Sequence, residues 1–253
     1  MRPKIKLISS DDPTIDIHCH QVKTADYWQI LNIDTHQLIK NAERKANHSS
    51  ALDKQSLEPI LAINLPSDVY FSLGIHPWFI ENQDIQVAIE TLKAYGNHPK
   101  LLAIGECGLD KTIRTDLSLQ THVFKRQIEL SERLHKPLII HCVRAFNELI
   151  QIRKSINTTI PWIVHGFNNK PELARQLFKN DCYLSLGKAL LNQQSNAANV
   201  LAIMPLERLF LETDDANDIS ISTIYSAAAK ITGLTTDALR QQIFSNYKRV
   251  FLQ

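Results

Sequence analysis

Eight short apolar segments recur along the chain, with amphipathic segments between most of them. They cover residues 14–20, 27–34, 69–77, 101–110, 137–143, 160–167, 183–190 and 209–214. The segment at 27–34 is the most mixed. Each is short enough for a strand and apolar enough to be buried on both faces, as strands of a parallel sheet are. Between them, residues 82–95, 116–135, 144–155, 171–180 and 195–204 carry apolar residues near a 3.6 period. Residues 236–251 close the chain in the same style, with Thr236 placed as an N-cap. Pro171 opens its segment, a favoured first-turn position. Repeated strand–helix alternation over 253 residues predicts an α/β fold, a (β/α)8 TIM barrel, as one domain spanning 1–253. Residues 35–68 fit this scheme worst. A helix over 35–48 and a surface loop are expected there, with His36 and His48 as solvated side chains.

Composition narrows the class of function. The 28 basic and 26 acidic residues give a net charge of +2. A broad basic face for duplex DNA is therefore not expected, although a local Lys/Arg cluster could hold a phosphate. Cys19, Cys107, Cys142 and Cys182 form no CxxC pair, so neither a structural zinc module nor a disulfide framework is suggested. Residues 1–7 contain no apolar signal-like stretch. No apolar run approaches the roughly 20 residues that span a bilayer. The expectation is a cytoplasmic chain with no membrane attachment, its oligomeric state, monomer or otherwise, left open by the sequence.

The ends of the apolar segments carry the chemistry. The segment 14–20 ends in His18-Cys19-His20. Glu106, His141, His165 and Asp214 sit in or at the ends of four others. In a (β/α)8 barrel the C-terminal strand ends form the active-site mouth. Four imidazoles and two carboxylates would gather there, a costly set of polar burials unless a cation pairs them. Such mixed ligation suits a dinuclear site for zinc, manganese, nickel, iron or, more weakly, magnesium. Strand alternation points His18 and His20 the same way and turns Cys19, Cys107 and Cys142 outward as packing groups. It also turns Asp16 and Glu212 inward. Each either orients a ligand or is a structural carboxylate tied to backbone or to a cation. Of the seven glycines, Gly74, Gly105, Gly108, Gly166 and Gly187 cluster at or beside strand C-termini, where backbone turns tightly.

Seven blocks then form a pattern: His18-Cys19-His20, Gly74-Ile-His-Pro77, Ala103-Ile-Gly-Glu-Cys-Gly-Leu-Asp110, Phe124-x-x-Gln127, Pro137-Leu-Ile-Ile-His-Cys142, His165-Gly-Phe167 and Leu211-Glu-Thr-Asp214. In this order, and with Asn246-Tyr-Lys-Arg-Val-Phe251 at the end, the chain resembles the TatD family of metal-dependent hydrolases in the amidohydrolase superfamily. The resemblance implies two divalent ions (Mg, Mn or Zn). His18, His20 and Asp214 would hold the first and His141 and His165 the second, with Glu106 bridging. Asp214 would orient or deprotonate the attacking water, so Asp214 and Glu106 are the catalytic pair. TatD proteins are typically deoxyribonucleases acting on single strands or ends, and some relatives are D-aminoacyl-tRNA deacylases.

The substrate rim departs from the family. Arg144 lies one place later than the family's usual arginine. Gly166-Phe167-Asn168-Asn169 replaces the usual Cys-Phe-Ser-Gly, and Asp215-Ala216-Asn217-Asp218 replaces Ser-Pro-Tyr and leads into a helix. His76, Arg144 and Lys188 are the candidate substrate contacts. His76 either donates to a substrate oxygen or caps a turn before Pro77. Trp78 either stacks on a base or roofs a helix. Asp110 and Asp215 read as loop or cap residues. The leading expectation is a deoxyribonuclease with DNA as its substrate. The alternatives are an acyl or amide hydrolase, such as a D-aminoacyl-tRNA deacylase, and a non-catalytic metal-binding subunit of a larger complex.

Overall fold

The computed structural model describes residues 12–23, 26–48, 63 and 65–252. The N-terminal segment 1–7, most of the loop expected after residue 48, and the side chain of His48 lie outside them. Eight parallel strands run in sequence order around one sheet: β1 (Ile15–Cys19), β2 (Trp28–Asp34), β3 (Val69–Gly74), β4 (Leu101–Asp110), β5 (Leu138–Val143), β6 (Trp162–Val164), β7 (Cys182–Leu186) and β8 (Leu209–Leu211). A bridge between Cys19 and Asp214 brings the last strand back to the first. The architecture is therefore a nearly closed (β/α)8 barrel wrapped by helices, as the alternating pattern predicts.

The helices are α1 (Thr35–His48), α2 (Ile85–Tyr95), α3 (Leu117–Leu134), α4 (Phe146–Ser155), α5 (Pro171–Lys179), α6 (Asn196–Leu201), α7 (Ile221–Thr232) and α8 (Thr236–Phe251). In α3, Gln120, Val123, Phe124, Gln127, Ile128 and Ser131 are buried, a single stripe at helical spacing. Asp116 caps its start by accepting from the Ser118 N–H, and His135 ends it in a left-handed conformation. Two of the buried residues are amides with a positional role. Gln127 accepts from the Ile75 N–H and donates to the Ile75 carbonyl, and Gln120 does the same at Asp110. The helix thus fixes the backbone where β3 and β4 leave the barrel. None of the helices among the described residues is long and apolar enough to cross a membrane.

The expected boundaries shift in places for local reasons. The helix expected over 82–95 starts later, at Ile85: a 3-10 turn, Pro77–Asn82, precedes it, and Asp84 caps α2 by accepting from the Gln86 and Val87 N–H groups. The helix expected from 144 begins at Phe146, because Arg144 adopts a left-handed φ of 52°. The cap expected at Thr236 is one residue earlier, where Thr235 accepts from the Ala238 N–H. The strand expected through 190 stops at Leu186 and turns into a 3-10 segment, Lys188–Leu191.

Close strand packing positions the site. The β4–β5 pairing runs Ile104 to Leu138 and then Cys107 to Ile140, so β4 carries one extra residue. Such a bulge re-aims a side chain, and here it falls on Gly105 and Glu106. On either side the backbones approach too closely for any side chain. A Cβ on Gly74 would lie 2.3 Å from the Glu106 carbonyl oxygen, and one on Gly108 would lie 2.0 Å from that of His141. Gly108 also has a φ of 138°. We predict that Gly108→Ala costs about 2–4 kcal/mol of stability in denaturant unfolding, since strain and a backbone clash add. A loss below about 1 kcal/mol would contradict the close-approach argument.

Candidate metal centre

Six polar side chains predicted from the strand ends converge at the C-terminal mouth of the barrel. His18, His20 and Asp214 present ligand atoms within 4.8 Å of one another, as do His18, Glu106 and His165. Two further groups are His76 with Glu106 and His141, and His165 with Glu212 and Asp214. None of these groups among the described residues includes a cysteine. Cys19 and Cys107 are buried, with their thiols donating to the Ile30 and Ile139 carbonyls of neighbouring strands. The outward turn expected for these two agrees with that placement.

Glu106 divides the histidines between its two oxygens. Oε1 lies 3.2 Å from Nε2 of both His18 and His20. Oε2 lies 2.9 Å from His165 Nε2, 3.4 Å from His76 Nε2 and 3.6 Å from His141 Nδ1. Asp214 Oδ1 completes the first side, 3.6 Å from His18 and 3.3 Å from His20. Asn32 holds the carboxylate in place: its Nδ2 donates to Oε1 at 2.7 Å, and the Glu106 N–H donates to its Oδ1 at 2.9 Å. Nothing in the sequence marks Asn32 out: it is one of three polar residues, with Gln29 and Asp34, in the mixed segment 27–34.

The electrostatics follow from this crowding. Burial opposes a charge on Glu106, but His165 and His18 hold its carboxyl well below the usual range. Asp214 is likewise held low against burial by His18 and His20. His20 rises to about 10 because Asp214 and Glu106 accept from it. Burial and the neighbouring His165 work against a charge on His18, yet Glu106 and Asp214 raise it. Both ring nitrogens of His18 and of His165 are buried without a hydrogen bond of good geometry, as is Glu212 Oε2. Unsatisfied buried lone pairs are costly. Imidazole nitrogens and carboxylate oxygens converging in this way fit divalent cations.

The far nitrogen of each ring sorts the histidines further. His141 Nε2 lies 3.1 Å from Asp110 Oδ2, so the N–H points to that carboxylate and Nδ1 presents its lone pair to the centre. Asp110 is therefore more than the loop or cap residue read from the sequence. It backs His141 and also accepts from Trp78 Nε1 at 2.8 Å. Against burial, its donors, with Thr112 and Trp78 foremost, hold it down at about 2. His76 is the reverse case. Its Nδ1 accepts from the Trp78 N–H at 3.2 Å, and burial lowers its pKa, so the neutral ring carries its proton on Nε2. That atom faces the centre as a donor. The turn-capping role and the inward-facing donor, alternatives in the sequence, coexist in one ring.

The two inward carboxylates differ in kind. Asp16 accepts from the Thr213 N–H at 3.0 Å and the Thr213 hydroxyl at 2.6 Å, making it a structural tie between β1 and the end of β8. Glu212 Oε1 accepts from the Gly166 N–H at 2.6 Å and lies 3.7 Å from His165 Nδ1, so it backs a candidate ligand. At the rim, Lys188 pairs with Asp215 at 2.6 Å, whereas Arg144 is exposed and makes no ion pair among the described residues. His36 is partly buried and stacks on Phe79 at 5.3 Å between ring centroids.

Comparison with known proteins places this geometry. Residues 15–252 match the model of the family described as TatD related DNase. An uncharacterized metal-dependent hydrolase from Buchnera aphidicola is 31% identical over 208 residues, covering 79% of this chain and 77% of that protein. The 3'-5' ssDNA/RNA exonuclease TatD of Erwinia billingiae is 26% identical over 191 residues, 72% of each chain. Among solved structures, the TatD homolog YJJV of Escherichia coli superposes with a TM-score of 0.74 at 20% identity, covering 95% of this chain and 98% of that one.

Metal entry must displace protons from this network. We predict that Zn2+ binding to chelator-treated protein near neutral pH releases protons from the histidines that the carboxylates hold protonated, His18, His20 and His165, and that affinity rises with pH. Calorimetry in buffers of different ionisation enthalpy reads the release directly, and equal apparent enthalpies in all buffers would contradict it. The match over nearly the whole chain, with the ligand-ready residues at the strand ends, makes this chain a member of the TatD family and a metal-dependent hydrolase.

Proposed function

We propose that the chain is a two-metal phosphodiesterase acting on single-stranded DNA or DNA ends. The observation that carries this reading is the division of Glu106, one oxygen toward His18 and His20 and the other toward His165 and His141. A carboxylate so placed suits a bridge between two sites. His18, His20 and Asp214 would hold one divalent ion and His141 and His165 the other, with Mg, Mn or Zn as candidates. Bound there, such ions supply an acidified water and neutralise charge building at phosphorus. Asp214, ionised at neutral pH, orients the attacking water and takes its proton. His76 donates its Nε2 proton to a substrate oxygen. Lys188 and Arg144 are the cations available to flanking phosphates, Lys188 only by sharing itself with Asp215. Residues 1–253 act as one catalytic domain in this reading. The name of the Erwinia relative, a 3'-5' ssDNA/RNA exonuclease, supports a single-stranded nucleic acid as substrate.

One observation favours a second reading. Free positive charge among the candidate rim residues comes down to Arg144, because the Lys188 cation is already matched by Asp215. A site of that kind also suits an acyl ester, as in a D-aminoacyl-tRNA.

A metal-by-substrate panel decides between them. Purified protein loaded with Mg, Mn or Zn is assayed on single-stranded DNA and on D-aminoacyl-tRNA. DNA cleavage is expected, with Glu106→Gln and Asp214→Asn each lowering kcat at least about 100-fold while the fold is retained. Hydrolysis of the ester alone would discard the nuclease reading. Full activity in either variant would discard the assigned roles.

A further inference from the structure

Three tryptophans occur in the chain, and their environments differ. Trp28 and Trp162 are buried in the core, while Trp78 is 55% exposed, more than any other large apolar residue among those described. It stands in the 3-10 turn Pro77–Asn82 that leaves β3, directly beside the centre. Its ring packs edge-on against His76, with centroids 4.9 Å apart at 82°, and against His141 at 5.8 Å and 76°. The indole does not roof a helix. Its N–H is fastened to Asp110 Oδ2, the same oxygen that faces His141 Nε2. That bond fixes the plane of the ring while much of its surface stays in water.

An exposed apolar side chain normally costs little to leave mobile. This one is held in a defined orientation at the lip of the site by a buried carboxylate. A flat, rigid, partly apolar surface next to a phosphate site matches what binds unpaired bases: stacking is tolerant of sequence and gains from a ring already ordered. Of the two candidate rim cations, Lys188 is tied to Asp215, leaving Arg144 as the one without an ion pair among the described residues.

We propose that Trp78 is the specificity-determining platform on which a base next to the scissile phosphate stacks, so that the site selects unpaired nucleotides over phosphodiesters lacking a base. This inference rests on the nuclease reading above. Trp78 acts on substrate by contact, and it touches His141 both through Asp110 and through its own ring edge.

The test compares a single-stranded thymidine decamer with a decamer of tetrahydrofuran abasic residues, using the metal-loaded enzyme. The readout is the ratio of kcat/KM for the two substrates. In the native enzyme the thymidine strand is preferred. In Trp78→Leu that preference falls about 10-fold or more, the loss expected when one stacking contact is removed. Trp78→Phe, which keeps a ring but has no N–H for Asp110, retains most of the preference. Emission from Trp78, measured as the difference between native protein and Trp78→Phe, is quenched by the thymidine decamer and not by the abasic one. If Trp78→Leu lowers both rates equally, the residue only supports Asp110 and the platform is refuted while the nuclease reading stands. If the native enzyme cleaves neither decamer but hydrolyses D-aminoacyl-tRNA, the nuclease reading fails and the platform with it.

Discussion

A buried carboxylate surrounded by imidazoles is the constraint around which this barrel is arranged. Glu106 is almost fully enclosed, and an ionised carboxylate in that position is tolerable only with charged or donating partners on every side. The fold supplies them from five strand ends. Bringing those ends within reach requires backbones to touch, which is why β3 and β4 meet at Gly74 and β4 and β5 meet at Gly108. The extra residue in β4 aims the carboxylate, and Asn32 from β2 locks its rotation. Geometry, charge and glycine placement are thus three expressions of one requirement.

The same residue type does different work according to what holds its far side. His141 and His76 sit 4.4 Å apart, centroid to centroid, and both face Glu106. A carboxylate behind His141 leaves a lone pair facing inward. A backbone N–H behind His76 leaves a proton facing inward. One ring therefore presents an acceptor to the centre and its neighbour a donor. Neither role can be read from the ring itself.

That distinction explains what the sequence discloses. The strands other than β2 are legible because they are largely apolar on both faces, and the six polar residues at strand ends stand out against that background. Alternation along 18–20 is enough to pair His18 with His20 and to turn Cys19 away. The supporting partners are less legible. Asn32, Gln120 and the link from Asp110 to His141 depend on which residues of different strands and helices come level, and register is not a local property of sequence. The rim is hardest to read. Lys188 and Asp215 are 27 positions apart, and only the folded chain shows that each neutralises the other.

The seam where β8 returns to β1 is also where the first ligand group forms. The Asp214 N–H donates to the His18 carbonyl, and the His20 N–H donates to the Asp214 carbonyl, so the residues whose side chains face one another are also joined through their backbones. Tyr225 and Asp16 brace the same seam across 210 and 197 positions of sequence. Closing so long a loop is entropically the most demanding step of the assembly. A chain still emerging from the ribosome, with β8 not yet made, has His18 and His20 but no Asp214 to set beside them. The grouping of His18, His20 and Asp214 is thus a property of the finished ring and of no shorter part of the chain.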